Sequence, residues 1–143
     1  CLKEHDIAVQ SKLIYYADYE ISAGYEASRY FMEESSVKPT AILAANDIMA
    51  IGAVGYLREN GYRIPKDIAV AGFDDIDLGK IIMPNLTTYR QPLNTIAHQV
   101  VKMLIDKINS PTIEEKQIIV DGELIVRGST DYLKKDRMFP AET

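Results

Sequence analysis

The sequence predicts an α/β fold, a parallel sheet flanked by helices, on two observations. The stretch AILAANDIMAIGAVGYLRENGYRIPKDIAVAGFDD, from Ala41 to Asp75, reads as strand, polar pair, helix, glycine stop, strand and acidic pair. Its strands are continuous apolar runs, the pattern of strands covered on both faces in a parallel sheet. Polar residues fall where the strands end. In open parallel sheets ligands bind just outside the carboxyl ends of the strands, so the same stretch proposes a site as well as a fold.

Taken in order, Lys12 to Ala17 (KLIYYA) is a short apolar run suited to a strand. Asp18 to Ser22 leads into a helix ending near Glu34, with Ile21, Tyr25, Ala27, Ser28 and Phe31 at helical spacing. Pro39 disfavours helix at Lys38 and closes that segment. Thr40 to Ala45 is the first buried strand, and Asn46 or Asp47 can cap the helix Ile48 to Asn60. Gly61 suits a left-handed stop, and Pro65 prevents the helix from resuming. That helix is apolar nearly all round and wants cover on two sides, the sheet on one and, as expected here, a subunit partner on the other.

Ile68 to Phe73 is the next buried strand, Asp77 to Ile82 a short helix ended by Pro84, and Leu86 to Arg90 a further strand. Leu93, Ile96, Ala97, Val100, Val101, Leu104, Ile105 and Ile108 keep i, i+3, i+4 spacing, which predicts a long amphipathic helix with Pro92 at its first turn. Ile118 to Val120 and Glu123 to Val126 read as two strands around Asp121-Gly122, a pair suited to a tight hairpin turn. After Thr130 the periodicity ends, and a loosely held tail is expected.

A formal net charge of −5 over 143 residues argues against nucleic-acid binding by this segment, because phosphate attraction needs a clustered positive surface. The longest basic run, Lys134-Lys135, lies close to Asp131 and Asp136. No apolar run approaches the ~20 residues that span a bilayer. The single cysteine, Cys1, rules out an internal disulfide framework and is compatible with a reducing compartment. A leading cysteine also suits a lipoprotein, but Leu2 to Val9 reads as folded sequence rather than as a Gly/Ser tether. Cys1 is therefore read as the point where a longer protein was cut.

No catalytic set assembles. His5 and His98 are the only histidines, and His98 beside an apolar helix face reads as packed or solvated. Zinc-ligand spacing, a Gly-rich phosphate loop and a G-x-S-x-G turn are all missing, so no enzyme, metal or cofactor is expected. Asp74 and Asp75 could do acid/base work in principle, but adjacent strand residues point to opposite faces, so one of them faces a given pocket. What remains is a row of hydrogen-bonding groups at strand ends: Asp18, Asn46, Asp74 and Gln91, with Tyr19 as an aromatic platform. A polyhydroxylated ligand requires such a set, since each hydroxyl must recover the hydrogen bonds it loses from water. Singly, Asn46 and Asp47 read equally well as caps, Asp74 and Asp75 as turn formers and Gln91 as a surface residue. Together, on one edge, they favour a pocket.

The motifs AANDIMAIGA, RIPKDIAVAGFDD, PNLTTYRQP and ELIVRGST occur in that order between Leu13 and Thr130. In them the chain resembles the C-terminal part of the lactose-repressor (LacI/GalR) family of transcription regulators. The resemblance implies a periplasmic-binding-protein-like core of two α/β subdomains with effector in the cleft, a homodimer, and operator DNA bound by an N-terminal domain outside this chain. By position, Tyr19, Asn46, Asp74 and Gln91 match effector-contacting positions, and Ile51, Asp77, Leu78, Ile81 and Ile82 fall where subdomains meet across the dimer.

On this reading residues 1–91 are the C-terminal subdomain of the effector-binding domain. Residues 92–120 are a helix and strand belonging to the other subdomain in intact family members, 121–130 a returning strand and 131–143 a loosely ordered tail. The long helix would lack its usual cover and is expected to pack on a partner chain or be displaced. The resemblance implies a cytoplasmic, ligand-sensing repressor responding to a small polar effector such as a sugar, with half a cleft binding it weakly. The alternative is a sugar-binding component of a transport system with the same fold.

Overall fold

The computed structural model describes residues 2–110, 112 and 117–131. Strands β1 (Ala41–Leu43), β2 (Ala69–Phe73) and β3 (Thr87–Arg90) run parallel, and β4 (Glu123–Ile125) runs antiparallel against β3. The sheet order is β1-β2-β3-β4, so the predicted parallel sheet gains one antiparallel edge strand. Helices α1 (Ile21–Arg29), α2 (Asp47–Glu59), α3 (Asp77–Ile81) and α4 (Leu93–Asn109) complete the chain, with a wider π turn, Tyr30–Glu34, extending α1.

The core forms where α2 lies on the sheet. Ala50, Ala53, Val54, Tyr56 and Leu57 pack with Ile68, Val70 and Leu86, all buried. Asn46 is the N-cap of α2: its extended backbone turns the Oδ1 onto the Met49 amide at 2.8 Å. Gly61, with φ of 79°, ends the helix as expected, and the Tyr62 amide returns to the Leu57 carbonyl at 2.9 Å.

Besides the sheet, α2 is covered by α1 of the same chain, which leaves the side of Ile51 and Gly55 as the face on which a subunit partner is expected. Two glycines make the approach possible. A Cβ on Gly24 would lie 1.9 Å from the Met49 carbonyl oxygen, and one on Gly52 would lie 1.9 Å from the Ile21 carbonyl oxygen. The two helix backbones touch, and Tyr25 packs edge-on against Tyr56 at 5.2 Å. Tyr56 in turn donates to Glu33 at 2.8 Å.

Two expected strands do not form. Ser11–Leu13 is a 3-10 turn, and residues 14–18 join no ladder. An apolar slot of about 340 Å³, lined by Leu13 to Tyr15 and by Ala41 to Ala45, separates this segment from β1. KLIYYA therefore has no strand to pair with, and Tyr15 packs on Tyr30 and Phe31 instead, at 5.4 and 6.2 Å. Residues 117–120 likewise join no ladder, and the Asp121-Gly122 hairpin is absent among the described residues. β4 spends its pairing on β3, and Gly122 serves a close approach: a Cβ there would lie 2.3 Å from the Arg90 carbonyl oxygen.

After β4 the chain is stitched back through buried Ser129. Its hydroxyl donates to the Val70 carbonyl at 2.6 Å and accepts from the Thr87 amide at 2.8 Å. The long helix forms as predicted, yet none of its residues is buried, and Leu93, Val100, Val101, Leu104, Ile105 and Ile108 are all exposed. Of the expected tail, only Asp131 lies within the described residues. No described helix is long and apolar enough to cross a membrane.

Candidate functional site

Parallel strands β1, β2 and β3 end side by side, which sets Asn46, Asp74 and Gln91 along one edge of the sheet. The edge divides into two pairs. The Gln91 amide donates to Asp74 Oδ1 at 2.8 Å, joining the ends of β2 and β3. The Asn46 amide reaches the Tyr19 carbonyl at 3.5 Å, a weak contact at the end of β1. No hydrogen bond joins the two pairs. Tyr19 and Asp18 are exposed, the tyrosine 69% so. Because the Asn46 carbonyl is committed to its cap, its NH2 is the group left to offer a ligand. Asp74 offers an acceptor, and a shallow depression of about 570 Å³ opens beside it, lined by Arg90, Gln91, Asn94 and Thr95.

The two aspartates do separate as expected, but through a turn rather than strand alternation. Both have left-handed backbones, with φ of 111° at Asp74 and 56° at Asp75. Asp74 is exposed, whereas the Asp75 side chain is 3% exposed. Four groups hold this turn. The Asp74 amide donates to the Tyr89 carbonyl at 3.0 Å and the Asp75 amide to Thr88 Oγ1 at 3.2 Å. Arg90 Nε meets Asp75 Oδ2 at 2.6 Å, and Arg127 Nη2 meets Asp75 Oδ1. Burial pushes the Asp75 carboxyl up, but the guanidinium groups of Arg127 and Arg90 outweigh it and hold it below the usual carboxylate range.

Sequence reading missed Asp47, treating it as one of two possible caps. It is fully buried. Its Oδ1 accepts from Thr88 Oγ1 at 2.6 Å and its Oδ2 from the Ile76 amide at 2.9 Å, tying α2 to β3 and to the turn after β2. A carboxylate inside AAND, one residue past the better cap, was the available signal. Arg127, whose Nη1 also donates to the Leu86 carbonyl at 2.9 Å, had no sequence signal beyond its place in ELIVRGST.

The remaining predicted residues lie on α2 and on the α3 segment that follows the Asp74-Asp75 turn. Ile51 and Ile82 line one depression of about 440 Å³ with Val54, Gly55, Arg58 and Glu59. Ile81 is 73% exposed beside it, and Leu78 and Asp77 also face solvent. His98 is exposed with Nδ1 3.1 Å from the Asn94 carbonyl, the solvated arrangement anticipated for it.

A family model described as a periplasmic binding protein-like domain matches residues 1–130. The chain is 34% identical over 132 residues to the HTH-type transcriptional repressor PurR of Pectobacterium atrosepticum, across 85% of this chain and 38% of that protein. It is 34% identical over 112 residues to the ribose operon repressor of Escherichia coli strain K12, across 78% of this chain and 34% of that protein. Among solved structures, the transcriptional regulator CelR in complex with cellobiose superimposes with a TM-score of 0.81 at 29% identity, covering 90% of this chain and 39% of that one. The chain thus spans well under half the length of the relatives it matches.

Proposed function

Since this chain belongs to the periplasmic binding protein-like family, in the form that makes up the effector-binding region of LacI/GalR-type regulators, we propose that it is the ligand-sensing and dimerising part of a transcriptional repressor. The effector is a small polyhydroxylated molecule of the sugar class, held at the carboxyl ends of β1, β2 and β3. Asp74 accepts from ligand hydroxyls, Asn46 donates to them through its NH2, Tyr19 stacks on the ring, and Gln91 completes the contact at the exit from β3. The observation that carries this reading is the exposed Asp74 carboxylate bonded to Gln91 at 2.8 Å across neighbouring strand ends.

The mechanism is population shift. Residues 92–120 contribute to a second subdomain, effector between the two favours one cleft angle, and that angle sets the spacing of DNA-binding heads carried elsewhere in the protein. Operator DNA is bound there, not by this acidic segment. Two copies associate through the face of Ile51, Leu78, Ile81 and Ile82, in the cytoplasm and without catalytic turnover. That the relatives carry regulator names supports this over a transport role. The full gene product should sediment as a dimer at micromolar concentration; a monomer would remove the interface assignment.

The effector assignment is tested with ribose, cellobiose and glucose as probes, by thermal shift and then by operator gel shift on the full gene product. Asp74→Ala should abolish the sugar-dependent change in operator binding with an unchanged urea midpoint. Full response in that variant refutes the site.

A further inference from the structure

We infer that Asp75 is a positioning residue for the effector site, clasped between the segment that leaves the sheet edge and the one that returns to it. The inference rests on the proposed effector reading and adds residues that contact no ligand in it. Two consecutive non-glycine residues with left-handed backbones, Asp74 and Asp75, are a costly arrangement that persists where the surroundings over-determine it. Here Asp75 supplies that determination. Its buried carboxylate is gripped on one oxygen by Arg90, the last residue of β3 and the neighbour of Gln91. The other oxygen is gripped by Arg127, just after β4.

Arg127 is itself immobilised. Its amide donates to Thr87 Oγ1 at 2.8 Å and its carbonyl accepts from the same hydroxyl at 3.0 Å. Its guanidinium spans from the Leu86 carbonyl to Asp75 with a side chain 15% exposed. The clasp therefore transmits the position of both crossing segments to one peptide plane, that between Asp74 and Asp75. Rotating Asp75 out of the clasp swings Asp74 away from Gln91. Any change in how β3 leaves or β4 returns must be felt at Asp74, and ligand at Asp74 must act back on both segments.

The test compares Asp75→Asn, Arg127→Met and the double variant in the full gene product, with the sugar that gives the largest thermal shift among ribose, cellobiose and glucose as the probe. Binding is measured at a temperature where every variant is folded, so that lost stability does not enter the dissociation constant. A positioning role predicts that Kd rises about tenfold in each single variant, roughly 1.4 kcal/mol, and no further in the double variant, because either change opens the same clasp. Lower urea midpoints with unchanged Kd would make the clasp merely structural and overturn the inference. Additive losses in the double variant would overturn it too, since the two residues would then act separately. If wild type binds none of the three sugars, or Asp74→Ala binds as wild type does, the effector reading fails and takes the clasp with it. Loss in Asp74→Ala beside normal Asp75→Asn refutes the clasp alone.

Discussion

Replacing Gly52 by alanine tests the contact that lets α1 serve as the second cover of α2. Intrinsic helix propensity favours the change by about 0.8–1 kcal/mol at an interior position. The geometry opposes it. The new Cβ would sit 1.9 Å from the Ile21 carbonyl oxygen and 2.9 Å from both the Ile21 carbonyl carbon and the Tyr25 amide nitrogen. All three are backbone atoms, so no side chain can swing aside, and the helices must part by more than about 1 Å to reach ordinary contact distance near 3.4 Å. Parting them loosens Met49, Ala53 and the Tyr25–Tyr56 contact together. Overpacking costs about 1–3 kcal/mol, at the upper end where backbone rather than side chain must move, so the net expectation is a loss of roughly 2 kcal/mol after the propensity gain is subtracted. Gly55, one turn on, supplies the control. A Cβ there meets only Tyr25 Cδ2 at 4.0 Å, so Gly55→Ala should stabilise by up to about 1 kcal/mol. Urea unfolding followed by far-UV circular dichroism reads both. Opposite signs are required, and a Gly52→Ala protein as stable as wild type would refute the backbone contact.

Other expectations follow from the stitched return of the chain and from the acid clasp. Ser129→Ala leaves the Val70 carbonyl and the Thr87 amide without their buried partner, which should cost about 1–3 kcal/mol per orphaned group in urea midpoints; a loss below 0.5 kcal/mol, on the order of a neutral surface change, would mean that water replaces the hydroxyl. Because the folded Asp75 carboxyl is held below its ordinary value, its contribution is full above the unfolded pKa of about 3.9 and is lost as pH falls through the lower folded value. Urea midpoints measured from pH 6 down to about 3 should therefore fall less steeply in Asp75→Asn than in wild type, and parallel curves would show that other carboxylates govern the acid limb.

Much of the architecture is local in origin and was legible in the chain. Apolar runs of strand length, the Asn46 cap, the Gly61 stop and the eight-membered apolar stripe of α4 each act over a few residues, and each is found where expected. The candidate site was legible as a row of residue types at strand ends, because topology alone brings successive parallel strand ends together. Its internal partition was not. Periodicity shows that Asp74 and Asp75 must differ, but only the fold places Arg127, 52 positions away, against one of them and leaves the other in solvent.

The failures have the same cause. KLIYYA and residues 117–120 have strand-like composition, but a strand exists only through its hydrogen-bonded neighbour, and neither segment has one. The packing of α1 on α2 also lay outside the sequence reading, because it depends on Gly24 and Gly52, residues whose sequence reading is weak helix propensity and whose tertiary role is to bring two backbones into contact. Asp47 carries the sharpest contrast. Sequence alone determined that an acid stands at the start of α2, where the helix dipole favours it. The tertiary structure decided that this acid is buried and holds Thr88 and Ile76, because a carboxylate out of water must find donors wherever the fold supplies them.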